Sequence, residues 1–177
     1  LRNNTVFNRE KQEILEMKRG LFIDIFPCDN VPDKFIAKKI FSLKCFWVRK
    51  NSYAPVGAKY ESNKIYRLFY KILSHNSLAY IRKLYDALAC QCLDENTKRV
   101  RIVAWSSKRE NEGFPRKWME DRIEYEFEGH YFWGPQDSDG FLKFIYGNYM
   151  KLPPIDQRIP HSPATYVRLL DGTEIKQ

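Results

Sequence analysis

The chain has 177 residues, 44% of them hydrophobic and 15% aromatic, with a formal net charge of +8 at pH 7. That length suits one domain with a sizeable core, and that apolar content excludes an intrinsically disordered chain. No apolar run is long enough to span a bilayer as a helix, and the polar start, Leu1 without a Met, does not read as a signal peptide. The chain is therefore expected to be a fragment whose beginning is missing.

Residues 3–7 suit a short strand, and residues 8–18 are polar around Ile14, Leu15 and Met17, a short helix or an exposed loop. Residues 21–26 are branched or aromatic around Asp24 and bounded by Gly20 and Pro27, which predicts a buried strand. In its pleat Phe22, Asp24 and Phe26 share one face. An ionised, unpaired carboxylate buried there costs on the order of several kcal/mol. Asp24 is thus a candidate metal ligand or general base, with an Arg-paired or turn-capping Asp as the structural alternative. Asp29 reads as a loop or cap residue in Asp-Asn-Val-Pro-Asp.

Asp33, after Pro32, is the expected N-cap of a helix to about residue 50. Ile36, Ile40, Leu43 and Trp47 recur there at helical spacing, with Phe35 and Phe46 widening the stripe and Lys34, Lys38, Lys39 and Lys44 around the rest. Residues 51–58 hold Pro55 and Gly57 and predict a loop. A second helix over residues 62–73 carries Ile65, Leu68, Phe69 and Ile72 on one side. A third, over residues 77–93, places Leu78, Ile81, Leu84, Leu88 and Cys92 together. All three stripes are expected in the core. Residues 100–105 suit a strand, and residues 122–128 alternate Ile123, Tyr125 and Phe127 with Glu124, Glu126 and Glu128. Gly129 turns that strand towards a return at residues 131–133. A helix over residues 138–146 ends at Gly147, with Asp137 and Asp139 at its start reading as capping residues. The remainder is Pro-rich and irregular apart from residues 165–170. The reading is α+β, one domain over residues 1–177.

Cys28, Cys45, Cys90 and Cys92 match no zinc spacing, and His75, His130 and His161 complete none, so reduced thiols in a cytoplasmic protein are expected. Residues 33–83 hold 12 Lys or Arg against the acids Asp33 and Glu61, while the rest of the chain is slightly acidic. Such a block suits nucleic acid, an anionic membrane surface or phosphate-bearing substrates, and equally the solvated faces of ordinary helices.

Two stretches carry further information. One is Gly20-Leu21-Phe22-Ile23-Asp24-Ile25-Phe26-Pro27-Cys28-Asp29. The other is Phe114-Pro115-Arg116-Lys117-Trp118, then Phe127-Glu128-Gly129, Gly134-Pro135, and Leu142 leading to Tyr146-Gly147-Asn148-Tyr149-Met150-Lys151-Leu152-Pro153-Pro154, Arg158 and His161. In this order and spacing the chain resembles the LicD family, a nucleotidyltransferase-fold branch that includes fukutin-like proteins.

The resemblance implies a nucleotidyltransferase-like mixed sheet with packed helices, incomplete at its N-terminus. It implies transfer of phosphocholine or a similar phospho-alcohol from a CDP-linked donor, CDP-choline first. The acceptor would be a cell-surface glycan of teichoic-acid, capsular or lipopolysaccharide type, lipid-linked in some cases. Three acids would hold Mg²⁺ or Mn²⁺ against the donor pyrophosphate, and Asp24 matches the third by position. Tyr146, Gly147, Tyr149, Lys151 and Arg158 become donor- or substrate-binding candidates, and His161 a catalytic one. The family's upstream acidic run, Pro-Trp-Asp-Asp-Asp-like, is absent here. The parent protein is therefore expected to be a metal-dependent transferase and these residues alone inactive. The alternatives are a basic nucleic-acid-binding module, for which no reader motif is present, and a non-catalytic interaction domain. The basic helices also suit work at the inner face of an anionic membrane.

Overall fold

The computed structural model describes residues 5–9, 11, 20, 23–93, 96–104, 113–158 and 164–176. Its elements run β1 (Val6–Arg9), β2 (Asp29–Val31), α1 (Phe35–Tyr60), α2 (Lys64–Leu73), α3 (Leu78–Ala89), β3 (Arg99–Arg101), β4 (Phe114–Pro115) and α4 (Lys117–Glu120). There follow β5 (Arg122–Phe127), β6 (His130–Pro135), α5 (Ser138–Tyr146), a 3₁₀ turn at Ile155–Gln157, β7 (Ala164–Arg168) and β8 (Glu174–Lys176). The class is α+β. The strands form three small antiparallel sheets, ordered β1-β7-β8, β2-β3-β4 and β5-β6. Two compact units share the chain: Leu1–Ile25, Lys50–Ser77 and Pro153–Gln177 form one, Phe26–Arg49 and Leu78–Leu152 the other.

In the first unit Ala54, Tyr70 and Leu73 are buried together, with Ala58 and Phe69 against them. This cluster explains why α1 does not stop near residue 50 as its sequence suggests. Pro55 lies inside the helix, where it removes one backbone donor and favours a break. Two tertiary contacts outweigh that preference. Asn51 is fully buried and accepts a 2.7 Å bond from the Asn76 side-chain amide. Gly57 lies against the Tyr70 ring, so closely that an added Cβ would overlap it. The expected loop over residues 51–58 is therefore helix. Asn63 caps α2 by accepting from the backbone N–H groups of Ile65 and Tyr66, at 2.9 and 3.2 Å.

The second unit has two apolar clusters. Val31, Phe41, Cys45, Val48, Leu88 and Val103 form one, joining the β2-β3 ladder to α1 and α3. Val100, Ile102, Phe114 and Trp118 form the other, covered by Phe141, Phe144 and Ile145 of α5. Asp33, expected as an N-cap, instead accepts the Lys98 N–H at 3.2 Å, which ties the approach to α1 to the strand opposite. The strand expected over residues 100–105 is shorter, ending at Arg101 before a turn at Val103 and Ala104. The hairpin expected after residue 122 is present, with Glu128 and Gly129 both at positive φ in its two-residue turn. The residue 138–146 helix and its Gly147 end are present as well.

Two corrections matter for function. Residues 23–28 form no strand: they are exposed, with Ile23 84% and Ile25 87% accessible. Ladder pairing begins only at Asp29, so the apolar run has no neighbouring strand among the described residues to bury it. The helical stripes of α1 and α2 are also not core. Ile36, Leu43, Ile65, Leu68 and Ile72 are all exposed, because α1 buries Phe41, Cys45 and Val48 instead and α2 buries Tyr70 and Leu73. On α3 the expected stripe holds in part: Leu88 and Cys92 are buried while Leu78 is exposed.

Replacing Gly with Ala inside a helix normally stabilises by about 1 kcal/mol. Gly57→Ala is expected to do the opposite, destabilising by about 1–3 kcal/mol through overlap with the Tyr70 ring. Urea denaturation of the two chains measures the sign directly.

Candidate functional site

Asp24 lies on the first unit, in the exposed segment just described. Its expected burial in an apolar ribbon is thus corrected, and the desolvation reason for reading it as a metal acid goes with it. What remains for Asp24 is an accessible carboxylate three residues before Pro27. One carboxylate does not make a Mg²⁺ or Mn²⁺ centre, which needs further hard oxygen ligands. Among the described residues no group of three His, Cys, Asp or Glu side chains is placed to hold a metal ion. The described residues therefore do not by themselves fit the implied metal.

Asp29 is the acid with the unusual environment. It opens β2, directly opposite Arg101 of β3 in the ladder. Arg101 is completely buried and donates to the Ser42 hydroxyl at 3.3 Å. Asp29 Oδ2 is buried and accepts no hydrogen bond among the described residues. Desolvation raises its pKa above the ordinary carboxylate value. Cys45 is pushed up too, chiefly by burial, against the pull of Arg101 and Arg49. Tyr85 is raised by burial first and by the Asp29 charge second. Turn chemistry around Asp29 hid this in the sequence, and the one available signal was Arg101 inside an apolar strand.

The second matching stretch is built as one piece. Arg116 donates through Nε to the Thr97 carbonyl and through Nη2 to the Asn30 side-chain oxygen and, at 3.1 Å, the Thr97 hydroxyl. Its Nη1 meets Glu120 at 3.2 Å. Phe114 stacks on Phe141 at 5.8 Å and meets Phe144 at 5.4 Å. The Trp118 indole packs edge-on against the same two rings and donates to Asp137 Oδ2 at 3.0 Å. Asp137 also caps α5 by accepting the Gly140 N–H at 3.0 Å. Those two bonds, the Trp118 one first, hold its carboxyl below the usual range.

α5 therefore leaves the cluster in a fixed direction and ends at Gly147, whose φ of 71° and ψ of −122° suit glycine. The turn brings the Tyr149 hydroxyl back to Asp139 Oδ1 at 2.9 Å, while Lys143 binds Asp139 Oδ2 at 2.7 Å. Lys143, then Tyr149, lowers the Asp139 pKa, and the same bond raises that of Tyr149. Tyr146 and Lys151 are exposed on this corner. The structure thus gathers Tyr146, Gly147, Tyr149 and Lys151. Arg158 belongs to the first unit, is exposed, and donates to the Pro153 carbonyl at 2.9 Å. His161 lies outside the described residues.

Compared with known proteins, the chain matches no family model, no curated protein and no solved structure. The chemistry of the α5 corner therefore rests on its own geometry: two phenols, one carboxylate and two ammonium groups at the end of a firmly seated helix. Such a corner can hold an anionic, hydroxyl-bearing ligand by hydrogen bonds and charge.

Asp29 supplies a measurable sign. Its carboxyl is neutral in folded and unfolded chains well below about pH 4. The raised folded value means the native chain keeps that proton more tightly, so its contribution to stability is present at low pH and lost as pH rises through the folded value. Asp29→Asn has no such loss. The stability of Asp29→Asn relative to the unsubstituted chain should become more favourable between about pH 3 and about pH 7, as read from urea midpoints across that range.

Proposed function

We propose that the chain is part of a LicD-type transferase of nucleotidyltransferase-like fold. It moves phosphocholine or a similar phospho-alcohol from a CDP-linked donor to a cell-surface glycan. The observation that supports this best is the assembly of the second matching stretch. Phe114, Arg116 and Trp118 are not scattered surface residues but the parts that seat α5. The Gly147 turn then presents Tyr146, Tyr149 and Lys151 from one corner.

In this reading Lys151 contacts donor phosphate and the tyrosines line the donor, with Tyr149 held by Asp139. Arg158, on the first unit, is by itself a guanidinium suited to an oxyanion. Mg²⁺ or Mn²⁺ would neutralise pyrophosphate charge, and Asp24 is the acid the resemblance offers it. The nucleic-acid reading keeps the basic residues of α1 and the exposed aromatic side chains of the β5-β6 hairpin, Phe127, Tyr131, Phe132 and Trp133, but the sequence holds no reader motif to go with them.

Calorimetry with CDP-choline tests the reading. Weak metal-free binding is expected, with Kd on the order of millimolar. Lys151→Ala should weaken the metal-free binding by roughly threefold to tenfold, the loss of one charge-assisted contact. Identical isotherms for the unsubstituted chain and Lys151→Ala would defeat the assignment.

A further inference from the structure

α1 is apolar on two opposite sides, and only one of them is used by the core. Phe41, Cys45 and Val48 are buried in the second unit. Ile36, Ile40, Leu43 and Trp47 keep 73%, 48%, 68% and 38% of their surface exposed. At the helical repeat these four fall within an arc of roughly 60°, nearly opposite Cys45. Lys39 and Lys44 border that arc, each roughly 70° from its centre. Phe35 and Phe46 flank it beside Lys39, whose ammonium lies 5.4 Å from the Phe35 ring centre.

Between residues 34 and 50 the sequence places Lys34, Lys38, Lys39, Lys44, Arg49 and Lys50, and no acid. Along one margin Leu43, Lys44, Trp47 and Val48 face Leu84, Ala87 and Leu88 of α3 across an open, apolar groove of about 430 Å³. Lys44 reaches the Gln91 side chain at 3.2 Å.

We propose that this face of α1 docks on an anionic lipid bilayer surface. A row of aliphatic and aromatic side chains bordered on both sides by lysines is the pattern of a helix lying in the interface plane. The apolar row enters the acyl boundary, and the lysine stems extend their ammonium groups to the headgroups. The absence of acids between residues 34 and 50 removes the repulsion that anionic headgroups would otherwise meet. Charge argues against a second copy as the occupant, since the Lys39 and Lys44 margins would oppose their own like. Shape argues against a single acidic helix as well. Only Leu43 and Trp47 of the row reach the groove, while Ile36 stands 73% exposed away from it, and a fluid bilayer accepts such a row without a groove matched along its whole length. The proposal stands independently of the transferase reading, because it involves no donor and no metal.

Vesicle co-sedimentation of the whole chain is the test, using phosphatidylcholine alone and phosphatidylcholine mixed with phosphatidylglycerol. Sedimentation with the mixed vesicles should exceed that with the neutral ones by about tenfold or more, and should fall as salt is raised. Ile36→Glu with Leu43→Glu should lower partition by roughly tenfold or more. Lys39→Ala with Lys44→Ala should lower it by roughly tenfold on anionic vesicles only. Ile36, Leu43, Lys39 and Lys44 are all exposed, so circular dichroism and thermal midpoints of both pairs should match the unsubstituted chain. Equal binding to both vesicle types, or undiminished binding by the Glu pair, overturns the proposal. So does a dimer, seen by sedimentation velocity, that the Glu pair dissolves, or a soluble protein partner that occupies α1 while vesicles do not.

Discussion

One guanidinium holds the second unit in register. Arg116 bonds at once to the Asn30 side chain beside Asp29, to both oxygens of Thr97, and to Glu120 of α4. Asn30 in turn donates to the Cys92 carbonyl at 2.6 Å. Removing such a group would strand several partly buried oxygens, each costing roughly 1–3 kcal/mol. With Arg116 in place, Phe114 and Trp118 on either side of it are aimed into one cluster, and that cluster fixes where α5 begins. Everything proposed for the Gly147 corner inherits its position from this pin.

The same economy of parts appears in α1. A helix of 26 residues contributes Phe41, Cys45 and Val48 to one core and Ala54 to another. Ile36, Ile40 and Leu43 nevertheless stay largely exposed. A soluble domain seldom leaves such a stripe uncovered without use, because exposed contiguous apolar surface invites association. The lysines on its borders narrow which association is favourable. Among the described residues no helix is long and apolar enough to cross a membrane.

The transferase reading and the membrane-facing helix suit one another, since a lipid-linked glycan acceptor would be met at such a surface. They differ in what carries them. The first leans on a linear order of residues and the resemblance it carries. The second leans on accessibility that only a folded chain reveals. Asp29 stands apart from both: its Oδ2 is buried and accepts no hydrogen bond among the described residues, although the residue pairs with Arg101 in the ladder.

Several elements were legible because local chemistry was strong enough to decide them. The β5-β6 hairpin follows from clean alternation and a Glu-Gly turn, and α5 from an Asp cap and a glycine end. Tyr146, Tyr149 and Lys151 at its end were candidates only through the resemblance, not through local chemistry. The length of α1 was not legible, because the Pro55 preference is local while the Asn51–Asn76 bond and the Gly57–Tyr70 approach join residues far apart in the chain. Periodicity showed that α1 and α2 have apolar stripes but not which side is buried, since a stripe records spacing and burial depends on what is brought against it. The same holds for acids: the apolar run marked Asp24 as unusual, yet Asp24 is exposed and the half-buried Asp29 is the one with a shielded oxygen, because strand pairing decides which carboxylate loses its water.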